Sequence, residues 1–575
     1  MFADHLKKWI SDTLHVTGDF SVEHPREMDH GDYSTNVALV EAKKLGKNPK
    51  ELAGEYIELL RKNIFENIEK IEVADPGFIN FYLKPEFFSQ AIAGALEHKN
   101  FWGSNEILGR QKIMVEFTDP NPFKEFHIGH LMSNAIGESI SRLLQANGAQ
   151  VLRVNWQGDV GLHIAKAVWG LKASHQISPF SITSLAQAYA RGNEAFENNE
   201  TDKNEIIEIN KILYGERKDT SETEWVKKWY EEGRKTSLEY FEKMYKRIGM
   251  ESCQNGNAFD HYFFESIEGP KGKKLVEEYL DKGVFEKSDG AVVFKGEQYG
   301  LHTRVFINSN GLPTYEAKEL GLNQEKFVVE PELSRSIIVT GNEIREYFKV
   351  LLKAMSLVLP NVAEKTIHID HGMMRLPEGK MSSRTGNVIT AESLIANVKE
   401  KILEKMKDRE FSDEKRNDIA EIVAIGALKY SILRQATGKD IIFDFDKSLS
   451  FEGDSGPYLQ YSYVRAQSIL RKVPTLLEGR EADPRVGPEW KTTTLEKLIA
   501  RFGEVVAEAG EEFAPHTVAT YLIELAGAFN SFYAVEKIVD ASDANSPYKI
   551  ALTEAFAQTM KNGLHLLGIK VPEEM

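Results

Sequence analysis

The sequence predicts an α/β protein whose central doubly wound, Rossmann-like parallel-sheet domain follows an α+β domain and precedes an all-α bundle. Three observations support this order. Residues 112–155 give strand, polar loop, helix and strand signals in succession, which is the opening unit of a doubly wound sheet. The first hundred residues mix amphipathic helices with alternating strands, and from about Asp413 the apolar residues keep a helical period. The 575-residue length leaves room for about three or four domains.

The amino-terminal domain is expected to span residues 1–100. His30–Asn36 read as a turn-rich break before a helix, and Ile71–Leu83 alternate around a Pro-Gly pair, which predicts strand, turn, strand. The polar residues 101–109 read as a linker. The first helix places apolar side chains on one face: Phe2, Leu6, Trp9, Ile10 and Leu14.

The central domain is expected to span residues 101–395, with a helical insertion at about 165–290. Lys112–Phe117 and Val151–Asn155 read as strands. Ligands of doubly wound sheets lie beyond the carboxyl ends of the strands, here just after Phe117 and Asn155. Later strand signals lie at 291–294, 304–308 and 336–341.

The carboxyl-terminal part is expected to comprise a connecting helical segment, 396–450, and a helical bundle, 451–575. The last helix presents apolar residues on one face, which predicts a packed bundle core. These residues are Leu552, Phe556, Met560, Leu564 and Leu567.

Composition excludes several classes of protein. The 71 basic and 87 acidic residues give a net charge of −16, which speaks mildly against nucleic acid as a partner but leaves local basic patches open. The single cysteine, Cys253, excludes an intramolecular disulfide and any zinc site that needs two cysteines. No apolar run approaches the roughly 20 residues that span a bilayer, and the charged start is unlike a signal peptide. We therefore expect a soluble, cytoplasmic protein without a membrane partner.

The first candidate for chemistry is His127-Ile128-Gly129-His130, at the start of the central helix. Two histidines with this spacing are also compatible with surface or core positions, or with half of a metal site. A helix amino terminus, however, offers free N–H groups and partial positive charge to a phosphate. Histidine donors there can stabilise charge that develops on phosphorus, and the glycine lets a flat base approach the backbone.

The second candidate is Lys380-Met381-Ser382-Ser383, about 250 residues further on. Pro377, Gly379 and Gly386 surround it, which predicts a loop. A lysine and hydroxyls on a loop can close over a polyphosphate. A solvated basic loop is the common alternative, and the histidine pair upstream is what favours a functional role.

Together the two segments resemble the HIGH and KMSKS signatures of class I aminoacyl-tRNA synthetases. The flanking residues VEFTDPNPFKEFHIGH, 115–130, are similar to the arginyl-tRNA synthetase form of the first signature. The resemblance continues in order through HGDYSTNVAL, DPGFINFYL, RVNWQGDVG and GLPTYEAKEL, and through YLQYSYVRAQSILRK, LAGAFNSFY and KNGLHLLGI near the end. It implies the class I fold for the central domain and anticodon binding for the bundle.

The resemblance also implies the reaction and its partners. L-arginine, ATP with Mg²⁺ and tRNA(Arg) would be the substrates, and arginyl-adenylate the intermediate. No zinc and no resident metal are expected, and the protein is expected to be a monomer. The amino-terminal domain would meet the tRNA elbow, and tRNA binding would help to assemble the site.

Site residues follow from the same resemblance. The catalytic set is Lys124, His127, Gly129, His130, Lys380, Met381, Ser382 and Ser383. The arginine-binding set is Glu116, Asp119, Asn121, His127, Asn155, Tyr315 and Glu319; carboxylates suit a guanidinium because they accept two parallel hydrogen bonds. The ATP-binding set is Gly129, His130, Gly341, Glu343, Gly372, Met373, Met374 and Lys380. The tRNA-binding candidates are Arg465, Arg471, Lys472, Tyr533, Lys537 and Lys561, each of which is also compatible with an ordinary solvated side chain.

Three positions depart from the family pattern. Ser383 replaces the second lysine of KMSKS, and Lys124 is expected to substitute for that lysine. Glu319 stands where the family usually has aspartate. Ile344 stands where it often has a glutamine, so Asn342 or Glu343 is expected to meet the substrate amino group.

Three other functions remain open at this stage. A small-molecule nucleotidyltransferase shares the histidine motif but does not explain the amino-terminal extension or the helical tail. A catalytically idle, synthetase-like RNA-binding module would be expected to show an eroded signature. A class I synthetase for another amino acid would differ in the substrate that supports pyrophosphate exchange.

Overall fold

The computed structural model describes residues 1–175, 179–215, 223–375, 389–473, 482–487 and 490–575. The elements below are those of the described residues.

The amino-terminal domain packs helices against an antiparallel sheet with strand order β1-β2-β4-β3. The predicted strand–turn–strand is confirmed, because Ala74 pairs with Phe78 across the turn. The prediction of a turn-rich break at 30–36 was wrong in part. Tyr33–Thr35 form a strand, in which Tyr33 and Thr35 are buried. The elements are α1 (Phe2–Leu14), β1 (Val22–Glu23), β2 (Tyr33–Thr35), α2 (Val37–Leu45), α3 (Pro49–Lys62), β3 (Ile68–Ala74), β4 (Phe78–Leu83) and α4 (Pro85–His98).

The central domain is built on a five-stranded sheet in which every pair of neighbours is parallel. Its order is β12-β11-β5-β6-β7, so the chain runs outward in both directions from β5. This arrangement confirms the predicted doubly wound sheet. The strands are β5 (Lys112–Glu116), β6 (Gln150–Gln157), β7 (His261–Phe264), β11 (Arg335–Gly341) and β12 (Thr366–His371).

Helices cover both faces of this sheet, and the segment 165–290 is not purely helical. It supplies β7 to the sheet edge and part of a small antiparallel sheet. Further elements are α5 (Ile128–Ala146), α6 (Leu162–Ala173), α7 (Ile182–Asn198), α8 (Glu200–Leu213), α9 (Glu224–Arg247), α10 (Glu265–Asp281), β8 (Glu286–Ser288), β9 (Ala291–Phe294), β10 (Arg304–Ile307), α11 (Tyr315–Val329), α12 (Arg345–Val358) and α13 (Pro360–Lys365).

The remaining chain is mainly helical, as predicted, and its core is continuous with that of the sheet. One short parallel pair, β13 with β14, interrupts it. The elements are β13 (Met374–Arg375), α14 (Ala391–Lys405), α15 (Asp413–Leu433), β14 (Ile441–Ile442), α16 (Phe445–Ser448), α17 (Gly456–Leu470), α18 (Thr494–Glu511), α19 (Pro515–Val535) and α20 (Ser546–Leu566).

Helix α5 is held between the sheet and the bundle by a buried charge network. Glu138 accepts hydrogen bonds from Arg142 at 2.7 Å and from Arg153, on β6, at 2.6 Å. The two guanidinium groups outweigh the effect of burial and lower the pKa of Glu138 to about 2. Arg142 also donates to the carbonyl of His565 at the end of α20. The helix that begins with the histidine motif therefore has a fixed position relative to both domains.

Helix α19 alone, among the described residues, is long and apolar enough to cross a membrane by length and composition. The sequence reading had found no such stretch. Val518, Leu522, Leu525 and Phe529 are buried in the bundle core, which accounts for the composition.

Candidate active site

The carboxyl ends of the parallel strands form one edge, and the predicted site residues gather there. The strand order reverses between β5 and β11, which is the point where doubly wound sheets open a ligand crevice. β5 ends at Glu116, and β11 ends at Gly341.

The loop after β5 has an uncommon backbone. Thr118, Asp119 and Phe123 all have positive φ, of 79°, 43° and 66°, a region that non-glycine residues rarely occupy. Hydrogen bonds hold it: the Thr118 amide donates to Ser133 at 2.9 Å, and the Asp119 carboxylate accepts from the Trp156 amide at 2.7 Å. Strain of this kind, fixed by its surroundings, is typical of functional sites.

A cavity of about 460 Å³ opens at this edge. Most of the predicted arginine-binding residues meet in its wall. The lining residues are Glu116, Asp119, Asn121, Trp156, Gly158, Glu265, Arg304, Tyr315, Glu316, Glu319, Thr340, Glu343, Ile344, Tyr347 and Phe348.

Two predicted arginine-binding residues lie outside this wall. Asn155 is fully buried behind it, where its amide donates to the Phe117 carbonyl at 3.0 Å and lies 3.5 Å from Asp119 Oδ1. It therefore supports the loop that carries Asp119. His127 lies at the start of α5, as described below.

The cavity carries more negative than positive charge. Glu116 pairs with Lys326 and Glu265 with Lys318, each at 2.6 Å. Glu316 lies 3.6 Å from Arg304.

Asp119 and Glu319 have no such cation as a direct partner among the described residues. Asp119 accepts the Trp156 amide, and Glu319 accepts the Asn323 side chain at 3.3 Å. Burial, followed by the charge of Glu116, raises the pKa of both carboxyl groups well above the usual range. A cationic ligand would relieve this repulsion, so the cavity suits a positively charged group.

The two histidines form a compact pair at the amino terminus of α5. Their rings stack with centroids 3.5 Å apart. Nδ1 of His127 accepts the Gly129 amide at 3.1 Å, and Nδ1 of His130 accepts the His127 amide at 3.2 Å. Because both Nδ1 atoms are acceptors, the neutral rings carry their hydrogens on Nε2. A Cβ at Gly129 would lie 3.0 Å from the His127 ring, so this position favours glycine.

Burial keeps these histidines neutral. It lowers the pKa of His127 to about 4, with a further contribution from the Lys124 ammonium, and it lowers the pKa of His130 as well. Neutral Nε2–H donors at a helix amino terminus can stabilise an oxyanion without taking part in proton transfer.

Lys124 lies close enough to the histidine pair, and to His163 beside the cavity, to act on them electrostatically. Its ammonium lies 4.8 Å from the Tyr189 ring centroid and contributes to the lowered pKa of His127, His130 and His163. His163 Nε2 bonds to the carbonyl of Gly158, a cavity residue, at 2.8 Å. The acidic cavity and the histidine pair therefore lie side by side.

Lys380, Met381, Ser382 and Ser383 lie outside the described residues, but the chain after them is fixed near the histidine pair and the chain before them ends in a short parallel strand pair. The Ile128 amide donates to the Ile389 carbonyl at 3.2 Å, and the Ala391 amide donates to the Phe126 carbonyl at 2.9 Å. Met374–Arg375 pair with Ile441–Ile442.

The predicted ATP-binding residues follow β11 and β12. Glu343 folds back over Gly341, where a Cβ would lie 2.2 Å from its carboxylate, and a Cβ at Gly372 would lie 2.1 Å from the Lys439 carbonyl. Met373 is exposed, whereas the Met374 side chain is buried in the core. Only the backbone of Met374 is therefore available to a ligand.

The predicted tRNA-binding residues do not form one patch. Arg465 lies over the rings of Tyr461 and Tyr533 at 4.8 and 5.5 Å, so these three form an aromatic–cation cluster in which Tyr533 is exposed and the other two are half-buried. The others have different surroundings: Arg471 donates to the Glu573 carbonyl, Lys537 pairs with Asp540 at 3.0 Å, and Lys472 and Lys561 are exposed.

Several cavity residues were missed by the sequence reading. Arg304 was predicted only as part of a strand. Tyr347 lines the cavity with a buried hydroxyl that has no hydrogen-bond partner among the described residues. Its position shortly after Glu343, a predicted ATP-binding residue, was the one signal in the sequence that could have identified Tyr347.

Metal-binding geometry is sparse in the part of the chain that the structure describes. One group there, Glu27, Asp29 and His30, brings three ligand atoms within 4.8 Å of one another, and all three residues are exposed. Cys253 is free; its thiol donates to the Ala258 carbonyl, and burial raises its pKa to about 12.

Comparison with known proteins identifies the family. Residues 91–445, more than half of the chain, match the model of class I tRNA synthetases (R), catalytic domain. Residues 1–83 match the arginyl tRNA synthetase N terminal domain, and 459–575 match the DALR anticodon binding domain. The chain belongs to the arginyl-tRNA synthetase family of class I aminoacyl-tRNA synthetases.

Individual relatives match this chain over nearly the full length of both proteins. The arginine–tRNA ligase of Clostridium acetobutylicum is 30% identical over 99% of this chain and 100% of its own. That of Fusobacterium nucleatum is 32% identical over 95% and 93%. The arginyl-tRNA synthetase structure from Thermus thermophilus has a TM-score of 0.80 at 25% identity, with all of both chains covered. The Plasmodium falciparum structure, at 19% identity and a TM-score of 0.78, shares the fold.

Proposed function

We propose that the chain joins L-arginine to tRNA(Arg) in two steps at the edge of the parallel sheet. The arginine carboxylate attacks the α-phosphorus of Mg-ATP and forms arginyl-adenylate and pyrophosphate. The 3′-terminal ribose hydroxyl of the tRNA then attacks the acyl carbon and releases AMP. The observation that carries this proposal is the acidic cavity beside the neutral histidine pair, on a chain that belongs to the arginyl family.

The cavity receives the guanidinium. Asp119 and Glu319 have no directly paired cation in the part of the chain that the structure describes, and they line the same wall as Glu116, so they can accept charge-assisted hydrogen bonds from a planar group. Tyr315 stands at the mouth with more than half of its side chain exposed. Glu343 and the free Tyr347 hydroxyl lie in the wall, where they can meet the α-amino group.

The histidine end receives the phosphates. Nε2–H of His127 and His130 stabilise negative charge at the α-phosphate, and Lys124 adds a fixed positive charge nearby. Lys380, Ser382 and Ser383 close over the β- and γ-phosphates, with Gly341 beside the ribose and Gly372 beside the adenine. Positioning and charge stabilisation then supply most of the rate, because the reaction needs little proton transfer.

The outer domains bind the tRNA. Residues 1–100 meet the elbow, residues 101–395 carry the chemistry, residues 396–450 connect, and residues 451–575 meet the anticodon. The Arg465–Tyr461–Tyr533 cluster offers stacking surfaces and one positive charge, which suits an unpaired base. We infer a cytoplasmic monomer.

The experiment that tests this function is ATP–pyrophosphate exchange with each of the twenty amino acids, with and without bulk tRNA. Exchange with arginine that depends on tRNA supports both the substrate and a site assembled by tRNA. Exchange with arginine in the absence of tRNA supports the substrate alone. Exchange with another amino acid, or none from folded protein, contradicts the proposal.

A further inference from the structure

Lys326 lies beneath the floor of the acidic cavity, with no exposed surface. Its ammonium is 2.6 Å from Oε2 of Glu116, at the end of β5. It also donates to Ser336 Oγ at 3.4 Å and to Asn323 Oδ1 at 3.5 Å. The group is thus held by α11, β5 and β11 together, and it does not line the cavity itself.

Asn323 extends this contact to a second carboxylate of the acidic wall. Its side-chain amide donates to Oε2 of Glu319 at 3.3 Å and to the Glu319 carbonyl at 2.9 Å. Lys326 therefore reaches Glu116 directly and Glu319 through one intervening amide. Both carboxylates line the cavity, whereas Lys326 and Asn323 lie behind it.

The charge of Lys326 opposes the mutual repulsion of the acidic wall. Burial and the charge of Glu116 raise the pKa of Asp119 and Glu319, and the Lys326 ammonium acts in the opposite direction on both. Without this cation, Asp119 and Glu319 would take up protons more readily, which would weaken a guanidinium site.

We propose that Lys326 is a positioning residue for amino-acid recognition, which orients Glu116 and, through Asn323, Glu319, and keeps the acidic wall ionised to receive a guanidinium. It does so without contact with the substrate. The inference rests on the arginine pocket proposed above.

Other charged or titratable groups face the same wall and set the background for any pH measurement. They are Glu265 on α10, Arg304 on β10, Glu316 and Lys318 on α11, Glu343 after β11, Tyr347 on α12 and Tyr245 on α9. Lys549 on α20 is the useful comparison, because it is also buried and pairs with Asp543 at 2.8 Å, but it does not line the cavity.

The test is Lys326→Met in the full-length enzyme, assayed by arginine-dependent pyrophosphate exchange with tRNA present between pH 6 and 9. We expect the KM for arginine to rise about 30-fold, in the range that a charged hydrogen bond supplies. The KM for ATP should stay within about twofold, and the acidic limb of kcat/KM for arginine should move about one unit to higher pH. Lys326→Arg should return the limb toward its wild-type position.

Lys549→Met is the matched control for the loss of a buried ion pair outside the cavity. It should leave the acidic limb where the wild type has it. If both methionine variants move the limb equally, or if Lys326→Met lowers kcat and raises both KM values without moving it, Lys326 has a structural role and the proposal fails.

Asn323→Leu keeps the Lys326–Glu116 pair, removes only the connection to Glu319, and covers the case in which Lys326→Met does not fold. The KM for arginine should rise about fivefold with the KM for ATP unchanged; an unchanged arginine KM would contradict the proposal. If Asp119→Asn and Glu319→Gln also leave the arginine KM unchanged, the proposed pocket fails as well. If they raise it, only the role of Lys326 is lost.

Discussion

The acidic cavity and the histidine pair lie next to each other at one sheet edge, and burial acts on their charges in opposite ways. At the helix end, burial removes the positive charge of His127 and His130 and leaves two neutral N–H donors. In the cavity, burial alone would remove the negative charge of Asp119 and Glu319, and Lys326 works against it.

The difference shows which side chains need support. A histidine pair that acts as hydrogen-bond donor is useful in its neutral form, so burial and a helix terminus are enough. A carboxylate pair that must bind a cation is useful only when ionised, so it needs a cation placed behind it and a strong ligand in front of it.

The largest effect is expected at the histidine end. His127→Asn keeps a side-chain acceptor for the helix cap but removes the Nε2–H donor. The rate of pyrophosphate exchange at saturating arginine should fall about 100- to 1,000-fold, as for loss of an oxyanion donor. The KM for arginine should change little, and near-wild-type exchange would remove the assigned role.

Loss of one carboxylate charge in the cavity should weaken arginine binding and leave ATP binding unchanged. Asp119→Asn or Glu319→Gln should each raise the KM for arginine about 10- to 100-fold through a lost charge-assisted hydrogen bond. The KM for ATP is the internal control. A variant in which the ATP constant rises as much as the arginine constant would show that the two ends are not separate.

The pH dependence should separate the two ends without mutation. The raised pKa of Asp119 and Glu319 means that these groups take up protons as pH falls, so kcat/KM for arginine should decline on the acidic side. His127, with a pKa of about 4, stays neutral between pH 6 and pH 8. By linkage, arginine should also raise the thermal midpoint more at pH 8 than at pH 6, and equal shifts would contradict it.

Lys124→Ala should have a smaller effect. Its side chain is half-buried beside the Tyr189 ring and lies close enough to influence the histidines. Adenylate formation should fall about tenfold, with most of the change in the KM for ATP. Unchanged pyrophosphate exchange would mean that Lys124 does not replace the missing signature lysine at Ser383.

The smallest effect is expected far from the chemistry. Tyr533→Ala removes one stacking ring from the cluster around Arg465 and should raise the KM for tRNA about fivefold. Pyrophosphate exchange at saturating tRNA should be unaffected. Lys282→Ala, which removes an exposed charge paired with Glu278 outside the candidate tRNA-binding set, serves as the control and should change neither constant.

Hydrophobic periodicity and the order of the motifs predict much of this structure. The strand–loop–helix–strand unit, the hairpin around Pro76 and the apolar face of the last helix are local patterns, and each is confirmed. The strand at Tyr33–Thr35 was missed because it is only three residues long and is defined by its pairing with β1 and β4, and not by a pattern within its own residues.

The cavity was predictable where its residues belong to sequence motifs and unpredictable where packing alone brings a residue to it. Glu116, Asp119 and Glu319 belong to recognisable motifs. Lys326 does not, because a lysine on a helix usually faces solvent, and its burial depends on how α11 packs on the sheet. Arg304 reaches the cavity from β10, a strand outside the parallel sheet.

The central claim is that ionised carboxylates select the substrate by its charge. The most direct measurement is pyrophosphate exchange with L-arginine and with L-citrulline, its neutral isostere, under the same conditions with tRNA present. The account predicts robust exchange with arginine and at least about 1,000-fold weaker kcat/KM for citrulline, because buried carboxylates would be left unpaired. A comparable kcat/KM for citrulline would show that the cavity recognises the shape of the side chain and not its charge.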